Sequence, residues 1–577
     1  MDDYSYTLKA KALLSMLATV IILVSGCTAP APSPEPGLDP SEFSVFADAS
    51  DITGKFDNIA GGINFWGKKE AKERFMNEVG TDIYRTKIVL YNVQKNPDGT
   101  YSFLSGGEEP GLIDSLIEAK SRGAKIMVQF YGVPKWLSSS DDERILTNNV
   151  PNYAKYPPTD FDEWENLVYA VVMGLKEKGL DPDYYELFGE VSVQSTWYKP
   201  MMACKKNGKL IRSCEPNELG DDMQEVMANF FKIYEYSARG IKRADPNAKI
   251  GGVALIPTWA DGFIWTRLLL KHIKENNLPL DFYSWHLYKG DEAADDMLNG
   301  WVYPANGVTL EQVRKAQESK IRKFTDNQAV VNELVQGLYE YIKDMEEWDQ
   351  DAVRHPYEFF GHQFRKWVDD EGFEDVPLIL TEWNINAFAD RRLDTHHGAS
   401  YIVKSLIGIT NSPTVAQTFY ALSKAENISY DRGYGKSFFL FAQNPENTPK
   451  ASFNAFKMFS MLGDSANRIA VESGDDIYSI ATVSQSEINL LSTYYVFSRE
   501  GEQADYDLKK EVSIGIANIP VKEYSYEIYL IDKEHSNSYL GSGPDLEMIE
   551  SGSGSGDFQK TLDLDVYGSV LVKIIKK

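Results

Sequence analysis

The sequence is short of positive charge and of cysteine, and each shortage argues against a class of function. Its 59 lysine and arginine residues stand against 85 aspartate and glutamate residues, which gives a formal net charge of −26 at pH 7. Binding to nucleic acid requires a basic face, so this balance argues against a nucleic-acid partner. Hydrophobic residues make up 43% of the chain, which is typical of a globular protein rather than a disordered one.

Cysteine occurs three times, at Cys27, Cys204 and Cys214. Cys204 and Cys214 have no histidine ligands near them in the sequence, so they form a poor metal site. In an exported protein they could form a disulfide across the basic segment 205–209, and the sequence leaves their bonding open.

The hydrophobic run near the N-terminus, Ala12 to Val24, is shorter than the ~20 residues of a comfortable membrane span. Two lysines precede it and small residues follow it, so we predict that residues 1–26 are a signal peptide. The segment Val24-Ser25-Gly26-Cys27 resembles a bacterial lipobox, in which the cysteine receives lipid. The alternative is an ordinary secretory signal with an incidental cysteine.

The segment 27–44 is rich in proline, which predicts an extended, semi-rigid tether. A tether that follows a lipid-modified Cys27 would hold the folded part away from a membrane. We therefore predict a lipid-anchored protein on the cell surface, or on the periplasmic or extracellular side of a membrane.

Strand-like and helix-like segments alternate between residues 45 and 463, which predicts a parallel (β/α)8 barrel. The segment Phe43 to Ile59 stays ambiguous, because it could be a strand of a second domain or a plug of the barrel floor. Residues 464–577 contain short alternating runs without a helical period, which predicts an all-β, sandwich-like domain.

The apolar run from Val376 to Leu380 predicts a buried barrel strand, and Thr381-Glu382-Trp383-Asn384 follows it directly. A barrel presents its catalytic residues at the C-terminal ends of its strands. A second strand-like run, which begins at Tyr184, ends in Glu190. Two carboxylates placed across a sugar are the chemistry of glycoside hydrolysis.

At these two segments the chain resembles the clan A glycoside hydrolases, and most closely family 39, the β-xylosidase and α-iduronidase family. Members of that family carry a segment like Thr381-Glu382-Trp383-Asn384 at the nucleophile. The resemblance implies that Glu382 is the nucleophile and Glu190 the acid/base of a retaining double displacement, without a metal or a cofactor. The implied substrate is a β-linked oligo- or polysaccharide of plant or algal type.

Further residues are predicted to bind the sugar. His286 and Tyr288 are two positions apart, so they share one face of a strand, and they match a His-x-Tyr pattern of such enzymes. Indole rings can stack on sugars, and amides can bind hydroxyls. The predicted substrate-binding residues are Asn64, Trp66, Gln129, Trp136, His286, Tyr288 and Trp383.

One position departs from the clan's pattern. Clan A enzymes usually carry asparagine before the acid/base to bind the 2-hydroxyl of the sugar, and Gly189 stands there. Three explanations remain open: Gln129 or Asn64 supplies the amide, the substrate binds in another orientation, or the protein is a catalytically impaired, glycan-binding surface lipoprotein.

A metal-dependent hydrolase is a third class of function, and Asp394, His396 and His397 are the only cluster that suggests it. Adjacent residues point apart and no third ligand is evident, so the sequence favours no metal site there.

Overall fold

The computed structural model describes residues 38–65, 67–103, 111–147, 150–192, 204–206, 209–211, 223–258, 260–299, 307–423, 439–443, 446–502, 506–541 and 543–577. The predicted signal peptide, residues 27–37 of the predicted tether with Cys27, Trp66 and Cys214 lie outside these residues. Asp39 to Lys577 form one compact unit. Among the described helices, none has the length and apolar character needed to cross a membrane.

Eight parallel strands form a closed barrel, which confirms the predicted fold class. In chain order, barrel strands one to eight are Ile63–Asn64, Ile83–Val89, Lys125–Tyr131, Tyr184–Leu187, Lys249–Leu255, Phe282–Tyr288, Leu378–Asn384 and Thr414–Phe419. Strand eight pairs with strand one in parallel and closes the ring. The apolar run predicted before Glu382 leads into barrel strand seven, Leu378–Asn384, which is buried along its whole length, whereas Val376 and Pro377 precede the strand and are half-buried.

Helices surround the barrel. The described helices α1 to α12 are Lys69–Glu78, Leu112–Ser121, Phe161–Glu177, Met223–Ala244, Ala260–Glu275, Gly290–Leu298, Leu310–Ile321, Gln328–Trp348, Gln350–Arg354, Pro356–Asp370, His396–Asn411 and Ala451–Ser460. Helix α3 shows why such segments fold. Asp160 caps it by accepting hydrogen bonds from the backbone N–H groups of Asp162 and Glu163. Its apolar residues recur every three or four positions, and that face is buried.

Nine strands form one hydrogen-bonded sheet beside the barrel, which confirms the predicted all-β region. Across this sheet the order is Glu547–Gly554, Tyr524–Ile531, Ser569–Lys576, Glu487–Tyr494, Ile477–Val483, Ala466–Ser473, Val45–Phe56, Lys509–Ala517 and Phe558–Asp565. Eight of these strands follow the barrel in sequence, and one precedes it.

The preceding strand, Val45–Phe56, corrects the predicted boundary at residue 45, which assigned it to the barrel segment. It pairs antiparallel with Ala466–Ser473 on one side and parallel with Lys509–Ala517 on the other. Because both of its edges are occupied by strands of the sheet, it belongs to the sheet. The first of the two roles left open for Phe43 to Ile59 is thus the one observed.

Short elements complete the described structure. Two-stranded ladders join Val93–Lys95 to Tyr101–Phe103, Ile145–Thr147 to Val150–Pro151, Cys204–Lys206 to Lys209–Ile211, and Phe441–Gln443 to Glu446–Pro449. Short 3-10 helices span Pro40–Glu42, Leu90–Asn92, Asn152–Lys155 and Arg391–Asp394. Helix α11 is buried over most of its length because it packs between the barrel and the sheet. Its Ser400 hydroxyl lies 2.7 Å from the Thr493 hydroxyl of the sheet.

Candidate active site

The two predicted glutamates meet at the C-terminal end of the barrel. Glu382 lies on barrel strand seven, and Glu190 follows the end of barrel strand four. One carboxylate oxygen of each, together with a ring nitrogen of His286, lie within 4.8 Å of one another. Residues that are 192 positions apart in the sequence (382 − 190) thus share one small site.

An unusual turn presents Glu190. Phe188 and Glu190 both have a positive φ, at 60° and 53°, a region that residues other than glycine rarely adopt. The backbone N–H of Glu190 contacts the carbonyl oxygens of Val253 and Ala254 on strand five, at 3.2 and 3.1 Å. The Glu190 carboxylate is one-fifth exposed, and its Oε1 atom lies 2.9 Å from Nδ1 of His286. This backbone turns a carboxylate out of a buried strand towards the open end of the barrel.

Glu382 is surrounded by donors. Nη1 of Arg85 donates to its Oε1 at 2.7 Å, and the hydroxyl of Tyr288 donates to its Oε2 at 2.7 Å. Nζ of Lys87 lies 3.4 Å from Oε1. Burial opposes ionisation of this carboxyl, but the charges of Lys87, His286 and Arg85 and the Tyr288 hydrogen bond outweigh it and hold the pKa of Glu382 well below its ordinary value. Glu382 is therefore a carboxylate at neutral pH.

A third glutamate, which the sequence analysis did not single out, anchors this arrangement. Glu186 on strand four is fully buried, and its Oε2 accepts from Nε and Nη2 of Arg85 at 2.8 and 2.6 Å. The hydroxyl of Thr381 donates to its Oε1 at 2.8 Å. Arg85 therefore lies between two carboxylates, those of Glu186 and Glu382. A charged residue inside a short strand of otherwise apolar and aromatic residues is the sequence signal that could have revealed it, since a buried charge needs a partner.

The two predicted amides are both buried and engaged. Nδ2 of Asn64 donates to the carbonyl of Thr381 at 3.0 Å, and its Oδ1 accepts from Arg85 at 2.8 Å. Nε2 of Gln129 donates to Glu186 and to the carbonyl of Phe188, both at 2.9 Å. The Gln129 Oε1 atom is buried and has no partner in the described part of the chain. These amides position the network beneath the carboxylates.

Trp383 does not face a sugar, and the prediction that it stacks on substrate is wrong. Its ring is fully buried, and its Nε1 donates to Oε1 of Gln417 at 2.6 Å. Successive side chains of a strand point to opposite faces. Glu382 faces the barrel interior, so Trp383 faces outwards and packs edge-on against Phe419 at 5.0 Å between ring centroids.

Trp136 contacts the segment that follows barrel strand two. Its ring is half-buried, and its Nε1 donates to the carbonyl of Val93 at 2.8 Å. The ring neighbours Tyr101, with 6.1 Å between the two centroids. Trp136 therefore packs on the loop after strand two, and its role as a sugar contact stays a prediction. Trp66 lies outside the described residues.

Asp394 and His397, which the sequence already disfavoured as metal ligands, contact other side chains. Lys450 forms a buried ion pair with Asp394, and the His397 ring stacks on Tyr567 at 3.6 Å between centroids. The described residues that could offer three ligand atoms to one ion are instead Glu190, His286 and Glu382. Arg85, Lys87 and Tyr288 already contact Glu382, and His286 contacts Glu190, so these ligand atoms have partners within the protein.

A cavity of about 1000 Å³ lies elsewhere, between the loop after strand seven and the nine-stranded sheet. Its lining includes Arg391, His396, Tyr506 and Tyr539, and neither Glu190 nor Glu382 is among the lining residues. The chemistry that the paired carboxylates can perform is thus separate from this cavity.

Comparison with known proteins finds glycoside hydrolases. A model of glycosyl hydrolases family 39 matches residues 214–337. That stretch contains His286 and Tyr288 but neither glutamate. The chain is 24% identical over 412 residues to a β-xylosidase of Caldicellulosiruptor saccharolyticus, covering 69% of this chain and 64% of that protein. It is 27% identical over 364 residues to a β-xylosidase of Geobacillus stearothermophilus, covering 61% of this chain and 55% of that protein.

The chain thus spans less than two-thirds of the length of these two relatives. Among solved structures, a monomeric β-xylosidase from Caulobacter crescentus is similar with a TM-score of 0.64 at 14% identity, over 92% of this chain and 99% of that one. At this identity the likeness concerns the fold. By sequence over part of its length and by fold over most of it, the chain is similar to glycoside hydrolase family 39.

Proposed function

We propose that this protein is a retaining glycoside hydrolase that cleaves β-glycosidic bonds in the manner of a β-xylosidase. The observation that carries the proposal is the spacing of the two glutamates, whose nearest carboxylate oxygens lie within 4.8 Å. Retaining enzymes place their two carboxyls ~5–5.5 Å apart, whereas inverting enzymes leave ~6.5–9.5 Å for a water molecule. An oxygen-to-oxygen distance within 4.8 Å is compatible with the shorter of these separations, so it supports direct attack on the sugar.

In the first step, Glu382 attacks the anomeric carbon while Glu190 donates its proton to the leaving oxygen. The glycosidic bond breaks and a glycosyl ester forms on Glu382. In the second step, Glu190 takes a proton from water, the water attacks the anomeric carbon, and the ester bond breaks to restore both carboxyl groups. Each proton that leaves Glu190 is thus replaced, and the anomeric configuration is inverted twice.

The surroundings of the two carboxyls suit these different roles. Glu382 is buried and receives direct hydrogen bonds from Arg85 and Tyr288, so it is ready to attack as a carboxylate. Glu190 is more exposed and lies against one ring nitrogen of His286. That nitrogen lies 3.7 Å from Oε2 of Glu382, so His286 spans both groups and can fix their mutual orientation.

The substrate class and the location belong to the same proposal. The curated relatives are named β-xylosidases, so we infer a β-linked xylose-type glycone from a plant or algal oligo- or polysaccharide. The signal-like N-terminus supports export, and Cys27 supports a lipid anchor on the outer side of a membrane. Replacing Cys27 by serine should release the protein from the membrane fraction, and unchanged partitioning would contradict the anchor.

The activity is tested by screening the protein on aryl β-glycosides, β-xylosides first, and following the anomer of the first product by NMR. We expect retention. Glu382→Ala should lose essentially all activity because no other group forms the ester. Glu190→Ala should keep activity on substrates with good leaving groups and be partly rescued by azide. Inversion would contradict the mechanism, and glycan binding without hydrolysis would favour the impaired-lipoprotein alternative.

A further inference from the structure

The amides predicted to bind the sugar are engaged within the protein in the described site. Gly189 offers no side chain, and both ends of the Asn64 amide are engaged with Arg85 and the barrel backbone. Gln129 is 1% exposed, so its amide lies beneath the surface. None of these three described positions presents an amide to the open cleft.

Among the described residues, Lys87 is a donor that lies near the proposed nucleophile, Glu382, and is also exposed to solvent. It lies two positions after Arg85 on strand two, so both side chains share the inner face. Its Nζ is 3.4 Å from Oε1 of Glu382, yet 45% of its side chain is exposed, whereas Arg85 is fully buried. Its ammonium also lies 5.9 Å from the centre of the Tyr420 ring.

Glu382 already has direct partners on both oxygens. Arg85 and Tyr288 each donate at 2.7 Å, whereas Lys87 stands beyond the usual ~2.7–3.2 Å range of a hydrogen bond. An ammonium carries three N–H donors that rotate freely. Lys87 can therefore stay near the carboxylate and still donate to a group that enters the cleft.

We propose that Lys87 donates a hydrogen bond to the hydroxyl on carbon 2 of the glycone and takes the role of the absent amide at position 189. The proposal rests on the proposed function. Glu382 attacks the anomeric carbon, and the substituent on carbon 2 is one bond away from it. A donor held beside the attacking oxygen is therefore within reach of that hydroxyl. Contacts to the 2-hydroxyl strengthen in the transition state, so the effect falls on kcat.

The test compares the aryl β-glycoside that the parent protein hydrolyses fastest with its 2-deoxy analogue. For Lys87→Met we expect kcat/KM on the hydroxylated substrate to fall about a hundredfold, and on the 2-deoxy substrate less than about fivefold, which is the size of a lost charged hydrogen bond. Lys87→Arg keeps a cationic donor and should retain most of the parent's preference for the hydroxylated substrate.

Lys120→Met is the matched control. Lys120 is 35% exposed and pairs with Asp183 at 3.1 Å on the outside of the barrel, so its loss should leave the ratio of the two substrates unchanged. An equal fall of Lys87→Met on both substrates would overturn the proposal and leave the proposed function intact. A parent protein that hydrolyses neither substrate, nor any other glycoside of the panel, would overturn both.

Discussion

The side-chain nitrogen of Gln129 lies 2.4 Å from the position that a Cβ atom on Gly189 would occupy. That distance is too short for any real contact, so the glutamine takes the space of a side chain that residue 189 lacks. The nitrogen is held there by Glu186 and by the carbonyl of Phe188. The position of the Gln129 side chain therefore requires that residue 189 be glycine.

Gly189→Ala should consequently lower activity, and Gly189→Asn should lower it further. The added Cβ forces the Gln129 amide to give up at least one of its two hydrogen bonds, and overpacking of this kind costs about 1–3 kcal/mol. We expect kcat/KM to fall tenfold or more, with a lower Tm. The larger asparagine side chain meets the same contact, so it is expected to cost at least as much as alanine.

A double-mutant cycle tests this cause. Gln129→Ala removes the group that the new Cβ would meet, so Gly189→Ala in that background should cost much less than it does alone. Additive losses of Tm and of kcat/KM would show that the two residues act independently.

Tyr288→Phe should move the acidic limb of the kcat/KM profile to higher pH. The Tyr288 hydroxyl donates to the charged form of Glu382 and helps to lower the pKa of that carboxyl. Without it the pKa rises, so protonation inactivates the nucleophile at a higher pH. A hydrogen bond to a charged group contributes about 1.5–3 kcal/mol, which corresponds to a tenfold to hundredfold loss of kcat/KM.

Tyr283→Phe is the control for that experiment. Tyr283 is buried on the same strand, but its hydroxyl meets the hydroxyl of Thr266 at 2.8 Å. This variant should leave the acidic limb in place. A shift of the limb in both variants would assign the effect to strand six as a whole.

Glu186→Gln should move the same limb in the opposite direction. In the parent protein, Arg85 forms ion pairs with both Glu186 and Glu382. When residue 186 is neutral, the arginine acts undivided on Glu382, the pKa of that carboxyl falls further, and the limb moves to lower pH. Removing one partner of a buried pair also destabilises the protein by about 3–5 kcal/mol.

Glu371→Gln is the control that separates the shift of the pH profile from the loss of stability expected for Glu186→Gln. Glu371 is a buried carboxylate that accepts from Nε of Arg267 at 2.7 Å, on the helices outside the barrel. It should lower Tm without moving the pH profile. If Glu186→Gln behaves in the same way, Glu186 has a purely structural role.

The buried pair of Asp394 and Lys450 provides a stability prediction. Both side chains are fully buried, and they join the loop after strand seven to the start of α12. Asp394→Ala removes the carboxylate that faces a fully buried ammonium and should cost about 3–5 kcal/mol in a denaturant titration. Asp507→Ala, in the exposed pair with Lys533, should cost less than about 1 kcal/mol. Equal losses would mean that the buried pair is hydrated.

The barrel was predictable because its strands are apolar runs separated by amphipathic helices, as in the run from Val376 to Leu380. The two catalytic candidates were predictable because polar residues follow such runs directly. The partners of Val45–Phe56 could not be predicted. The whole barrel segment separates this strand from its partners in the sequence, and no local pattern indicates which distant strands pair. Either of its two roles fitted the same weak alternation.

Within the site, two features needed coordinates. Trp383 was predicted to contact the sugar because it is adjacent to Glu382. Side chains alternate along a strand, so adjacent residues face opposite sides of the sheet. Glu186 was missed because a single glutamate in a strand can also be exposed, and only its contacts with Arg85 and Thr381 show that it is buried. An ion pair between residues that are distant in the sequence, such as Arg85 and Glu186, cannot be predicted from the local sequence pattern.

The strand Val45–Phe56 also sets the order in which the protein can be completed. During synthesis this strand leaves the ribosome before any part of the barrel, but Val45 pairs with Ser473 and with Ile514, which emerge after the barrel is finished. Contacts so distant in sequence form slowly. A nascent chain must therefore keep this strand without its native partners while all eight barrel strands are made, and its pairing with Ala466–Ser473 and Lys509–Ala517 belongs to a late stage of folding.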